Sequence, residues 1–160
     1  MVRAMLIAVL ITIGLQGNAQ TESRITRYNY FFLEAIRQQE MGNLAAAFDL
    51  LNHARDINPK APEVYYEIAG YYVAMQNSKA ARYNFEQAAK LAPDNSTYLE
   101  KLGQFYISQN NYEDALTTYE QLYTSNKTRE DVLQILYQLY GAQNNYKKMI
   151  EMIERMELLP

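Results

Sequence analysis

Cysteine and tryptophan are absent from this chain, histidine occurs once, and 160 residues hold only four prolines and six glycines. Without cysteine there can be no disulfide, no thiolate nucleophile, no thiolate zinc ligand and no lipid attached through an N-terminal cysteine. The lone His53 has no second imidazole with which to complete a zinc site, and no thiol to activate. It lies between Leu50 and Ala54 on a predicted helix, where an exposed position on the convex surface is expected. The glycines are scattered, so there is no Gly-rich phosphate loop. Neither sign of charge dominates: 15 Lys and Arg face 18 Asp and Glu. That balance argues against non-specific binding of nucleic acid or of anionic membranes. Glu151, Glu154 and Glu157 interleave with Lys147, Lys148 and Arg155 and read as a solvated helix face rather than as paired catalytic carboxylates. No catalytic set, cofactor site or metal site is expected, and the chain reads as a non-enzyme.

Long apolar runs are missing too. The longest, Ala4 to Leu15, has 12 residues with Thr12 as its polar break. A membrane-spanning helix needs roughly 20. Arg3 precedes the run and Gly17-Asn18-Ala19 follows it, ahead of Gln20. This is the layout of a secretory signal peptide, with a positive start, a short apolar core and a small-x-small ending. An uncleaved anchor is the weaker reading. The expected organisation is a signal peptide over 1–19, a flexible segment over 20–27 and a helical repeat domain over 28–160.

What the chain has is periodicity. Stepping by 34 residues, a large apolar slot is filled by Phe31, Tyr65, Leu99 and Leu133, and the slot four residues on by Ala35, Ala69, Gly103 and Tyr137. After a short polar turn come Ala47, Ala81, Ala115 and Met149, then Leu51, Phe85, Tyr119 and Ile153, then Ala54, Ala88, Leu122 and Met156. A fixed period of this length with two amphipathic stretches per unit marks stacked helix pairs. Isolated helices shorter than about 12–15 residues are marginal in water, so each pair must bury its face against its neighbours. Helices are predicted over 23–41, 44–57, 62–75, 78–91, 96–109, 112–125, 129–143 and 145–158. Asn43, Asn77, Asn111 and Asn145 recur in the turns, where Asn tolerates unusual backbone angles. Ser78, Ser96 and Thr128 stand where N-caps are expected, and Pro59 and Pro93 follow second helices as stop signals.

These residues resemble the tetratricopeptide repeat. Tyr65, Ile68, Ala69, Tyr72, Ala81, Phe85, Ala88 and Pro93 match its pattern in full. Leu99, Leu102, Gly103, Tyr106, Ala115, Tyr119 and Leu122 match nearly as well, with Lys127 in the proline slot. The first unit departs at Glu34 and Gln38, where apolar residues are usual, and the fourth carries Tyr137 and Met149 in slots meant for small ones. The resemblance covers about 28–159. It implies an all-α, right-handed α-solenoid of four units and a role in protein–protein interaction.

It also implies a concave face lined by the first helix of each unit. In this register the face carries Phe32, Ile36 and Gln39, then Tyr66, Gly70 and Val73, then Glu100, Gln104 and Ile107, then Gln134, Gln138 and Gly141. Tyr65 and Tyr66 are adjacent and cannot both enter one core, so one of them faces the groove. The groove reads as apolar and amide-rich, with one acid and no cation. Relatives that clamp an acidic C-terminus use Lys, Arg and Asn here, whereas this chain has Phe32, Tyr66, Glu100 and Gln134. An extended apolar or amide-rich segment, or a partner helix, fits better. The expected partner site is Phe32, Ile36, Tyr66, Gly70, Val73, Glu100, Gln104 and Ile107.

A second surface is expected at the C-terminal edge. Leu158 replaces the polar Asp56, Lys90 and Thr124 of earlier units, and Met152 follows Asn84 and Thr118. With Ile150 and Leu159 these form an apolar stripe, the mark of an interaction site. Taken together, the residues describe a non-catalytic binding module or scaffold of the periplasm or cell envelope. Two alternatives remain: a homo-oligomer joined through this edge, or the front piece of a larger envelope sensor or enzyme. Export is checked by mass spectrometry of the protein made in its own host. Cleavage after Ala19 gives a chain beginning at Gln20, and an intact Met1 on a cytoplasmic product contradicts it.

Overall fold

The computed structural model describes residues 2–159, with side chains from Thr21 onward. The apolar run and cleavage site read from the sequence lie outside the described side chains. Eight helices and no strand occur among the described residues: α1 (Val2–Glu40), α2 (Leu44–Ile57), α3 (Pro62–Ala74), α4 (Ser78–Leu91), α5 (Ser96–Ser108), α6 (Tyr112–Ser125), α7 (Glu130–Ala142) and α8 (Tyr146–Glu157). Thr21 to Arg27, expected as a loose segment, is helical within α1, and Arg24 Nε donates to the Ile57 carbonyl at 2.6 Å. Packing divides the chain into two compact units, residues 1–68 and 69–160.

The turn inside each helix pair has one construction throughout. Gly42, Gln76, Asn110 and Asn144 adopt positive φ, between 55° and 81°. The next residue is always the conserved-register Asn, whose amide reaches back to the carbonyl five residues earlier: Asn43 to Gln38, Asn77 to Tyr72, Asn111 to Tyr106 and Asn145 to Tyr140, each at 2.9 Å. This is a Schellman closure, which satisfies carbonyls that the helix end leaves open. The Asn then caps the following helix. Its side chain accepts from Ala80 N, Asp114 N and Lys148 N in the last three turns. The unusual backbone angle therefore falls one residue before the Asn, and the Asn is a cap. Likewise Ser78 and Ser96 are first helical residues behind Asn77 and Asn95, and Arg129, not Thr128, precedes α7.

In the first unit α2 packs on α1, and Ala35, Ala47, Leu51 and Ala54 are buried, while Tyr65 and Ile68 are buried on α3. Two small faces let the helix backbones approach closely. Glu34 and Gln38 explain the departure from the apolar pattern. Gln38 Nε2 donates to Glu34 Oε1 at 2.7 Å, Asn43 Nδ2 donates to Gln38 Oε1 at 2.7 Å, and Arg37 Nε donates to Glu34 Oε2 at 2.8 Å. The hydrogen bonds from Arg37 and Gln38 lower the Glu34 pKa to about 2. His53 is exposed, as expected, and meets the Phe31 ring edge-on at 4.2 Å.

In the second unit the same slots close around aromatics. Ala81, Phe85 and Ala88 are buried on α4, Leu99, Leu102 and Tyr106 on α5, Ala115, Tyr119 and Leu122 on α6, and Leu133, Leu136 and Tyr140 on α7. Tyr72, expected in the core, is half-buried. Gly103 is required by its neighbour: a Cβ there would lie 2.6 Å from Cε2 of Tyr119. Hydroxyls tie consecutive pairs together, Tyr106 Oη donating to Glu86 at 2.8 Å and Tyr140 Oη to Glu120.

The C-terminal edge differs from expectation in two slots. Met152 is buried, and so are Asn84 and Thr118 in the corresponding places. Those two polar residues conceal the slot in the sequence, because each donates to the helix carbonyl four residues back, Ala80 at 2.8 Å and Asp114 at 2.7 Å. Ile153, expected to be used up in packing, is 40% exposed instead. Ile150 and Leu158 are exposed as expected and Leu159 is half-buried.

Two substitutions test this construction by chemical denaturation. Gln76→Gly relieves a left-handed backbone that costs an ordinary residue about 1–2 kcal/mol, and stabilises by up to about 1 kcal/mol after glycine's extra chain entropy is counted. Gly103→Ala overpacks against Tyr119 and destabilises by about 1–3 kcal/mol. A neutral Gly103→Ala would contradict the close approach.

Candidate partner-binding surface

The predicted site residues divide between the two units, and each set is described in its own. In the first unit Phe32, Ile36 and Tyr66 are half-buried. Phe32 lies parallel to Tyr28, with ring centroids 5.9 Å apart, and the Tyr28 hydroxyl donates to Glu63. Tyr65 is the buried member of the adjacent pair, its hydroxyl donating to the Pro59 carbonyl at 3.1 Å, which leaves Tyr66 as the accessible one. Burial raises the pKa of Tyr66, with a smaller push from Glu67, and burial raises Glu67 against a lowering hydrogen bond from Gln39. Beside this aromatic patch is therefore a carboxyl group that is reluctant to ionise.

In the second unit Gly70 and Gln104 are exposed, Val73 is 48% exposed, and Glu100 and Ile107 are half-buried. No atom lies within 4 Å of where a Gly70 Cβ would stand, so no close packing requires this glycine. Gln104 Nε2 reaches Glu100 Oε1 at 3.4 Å, and Lys101 Nζ reaches Gln104 Oε1 at 3.4 Å. Gln134 and Gln138, one repeat on, are exposed.

The expectation of an acid without a cation fails here. Arg129 Nη2 donates to Glu100 Oε2 at 3.0 Å and also holds Asp131. Its hydrogen bond to Asp131, with further help from Glu100, raises the Arg129 pKa, and the same hydrogen bond lowers that of Asp131. The face slots of this unit begin at Gln134, whereas Arg129, the first residue of the predicted helix, stands immediately before α7. The available signal is its slot: one repeat earlier the position is Asn95, whose side chain caps α5. Arg129 makes no such cap and turns its guanidinium to the carboxylates instead.

These features define a class, a helical-repeat protein whose first helices keep a mixed apolar and amide surface accessible. Among the described residues no cluster of three His, Cys, Asp or Glu could hold a metal ion, and no helix is long and apolar enough to cross a membrane. The chain carries tetratricopeptide repeats: residues 72–139 match the tetratricopeptide repeat family. Solved structures of MamA share the fold. MamA AMB-1 superposes with a TM-score of 0.69 at 14% identity, over 81% of this chain and 71% of that one. A second MamA structure gives 0.68 at 16% identity, over 81% and 75%, and MamA MSR-1 gives 0.63 at 14%, over 81% and 75%. At these identities the likeness speaks for the fold. Among curated proteins none matches this chain.

The Arg129 pairing predicts a pH effect. Asp131 has a depressed pKa, so it contributes stability above its unfolded value, and that contribution is lost as pH falls through the folded value. Arg129→Ala should move the Asp131 pKa up toward the ordinary carboxylate range in a carboxyl-carbon NMR titration. An unchanged Asp131 would show that Arg129 does not hold it. The pair is partly solvated, so the loss at neutral pH is about 0–1 kcal/mol.

Proposed function

We propose that this chain is an exported, non-catalytic binding module of the periplasm or cell envelope, and that it holds a segment of a partner protein against the first helices of its second unit. One observation carries the reading: Val73 and Gln104 stay exposed on α3 and α5, and Ile107 is only half-buried. The family serves protein–protein interaction, and the layout of residues 1–20 supports export. The pairing of Glu100 with Arg129 shapes the partner's chemistry. A face whose acid is already neutralised has little to offer an isolated charge, and favours an extended apolar or amide-rich segment, or an amphipathic helix. Apolar side chains would lie on Val73 and Ile107, and main-chain or side-chain amides would pair with Gln104.

Photocrosslinking tests this in the native cell. A benzophenone amino acid at position 104 should give a discrete adduct with one partner, and the same group at the exposed Lys90 should not. Val73→Asp should abolish the adduct and leave the melting temperature within about 2 °C, since a surface change away from the core is worth within about 0.5 kcal/mol. Equal adducts from positions 104 and 90, or an adduct indifferent to Val73→Asp, would overturn the reading.

A further inference from the structure

α8 repeats, slot for slot, positions that α4 and α6 bury; of these Met149 turns toward α7, 3.5 Å from where a Gly141 Cβ would stand, which leaves Ile153 and Met156 as the uncovered part. Met149, Ile153 and Met156 correspond to Ala81, Phe85 and Ala88 on α4 and to Ala115, Tyr119 and Leu122 on α6. All six counterparts are buried. On α8, Ile153 is 40% exposed and the two methionines are half-buried. Ile150, one turn earlier, is 57% exposed.

A polar series runs beside the apolar one. Glu86, Glu120 and Glu154 share a slot at the repeat spacing. Glu86 accepts the hydroxyl of Tyr106 from α5, and Glu120 accepts that of Tyr140 from α7. Glu154 is exposed, and among the described residues no donor occupies it. The helices that fill the equivalent places are alike. α5 packs on α4 and buries Leu99, Leu102 and Tyr106; α7 packs on α6 and buries Leu133, Leu136 and Tyr140. Both present Leu-x2-Leu-x3-Tyr, a single helical stripe.

We propose that the outer face of α8 is a docking site for an amphipathic helix of a partner protein, one that carries two large aliphatic residues and then a tyrosine at this spacing. The aliphatic residues cover Ile153 and its neighbours, and the tyrosine hydroxyl donates to Glu154. The occupant follows from continuity with the α4–α5 and α6–α7 interfaces, which have the same acceptor at the same register. This surface is distinct from the first-helix face, so either site can fail without the other.

The probe is a fluorescein-labelled peptide with the sequence of residues 129–143, side-chain cross-linked between positions 134 and 138, which are exposed in α7. The cross-link offsets the poor helicity of a short isolated helix. Fluorescence anisotropy with the full chain should show saturable binding. Ile153→Lys should weaken it at least tenfold, and so should Ile150→Glu, which alters a still more exposed position, with the fold of each variant checked by circular dichroism. Glu154→Gln in the protein and Tyr140→Phe in the peptide should each weaken binding at least tenfold, the size expected of a hydrogen bond to a charged group. Combined, they should weaken it no further than either alone. Three results would overturn the proposal: no binding at millimolar peptide, binding indifferent to both Ile153→Lys and Ile150→Glu, or a wild-type dimer in light scattering that Ile153→Lys dissolves, which would assign the face to a second copy.

Discussion

The three-residue turn within each helix pair is the constraint from which the other features follow. One residue takes a left-handed backbone, the next amide closes the preceding helix on a carbonyl five residues back, and in three of the four turns the same Asn caps the following helix. So short a connection forces the two helices antiparallel and adjacent. Their facing slots must then be small, as Ala35 and Ala47 are in the first unit. In the second unit the same constraint produces a knob and a hole. Tyr119 fills the space that Gly103 leaves, with no room for a methyl group. Burial drives the Tyr119 pKa up to about 12.

The repeat lattice uses some residues on every helix, and those left over are the ones open to partners. Large apolar slots, small slots and the bridging tyrosines belong to the lattice. On the first helices Val73 and Gln104 stay exposed; on α8, Ile150, Ile153 and Glu154 do. Charge is organised locally rather than as a field. Arg82 joins Asp114 at 3.0 Å and lies over the Tyr106 ring, while Arg155 joins Glu151 and Tyr123. Such exposed pairs contribute little stability, but they neutralise the surface and leave shape and apolar contact to select a partner.

Most of the fold was legible because the signals are local and repeated. Asn at each turn, Pro after two second helices and apolar residues at helical spacing place seven of the eight helices to within about two residues. Less legible were places where a side chain satisfies itself without betraying its surroundings. Asn84 and Thr118 bond to their own helix and so enter the core, which hid the slot that Met152 fills. Glu34 and Gln38 look like defects in the pattern and are instead a closed polar cluster. Arg129 was missed because it begins the predicted helix five residues ahead of the first face slot, Gln134, and only three-dimensional proximity brings it to Glu100. Periodicity reports which residues share a helix face. It does not report what a long charged side chain reaches from a turn.

The turn claim is tested most directly by amide hydrogen exchange on the full chain, resolved by residue. The amides of Asn77, Asn111 and Asn145 lie in the connections between helices, yet each donates to a carbonyl at 2.9 Å. The account predicts that they exchange as slowly as amides in the middle of α5, because opening them requires the helix pair to separate. Exchange at the rate of an unprotected loop amide would mean that the turns do not lock the helix pairs, and would contradict the account.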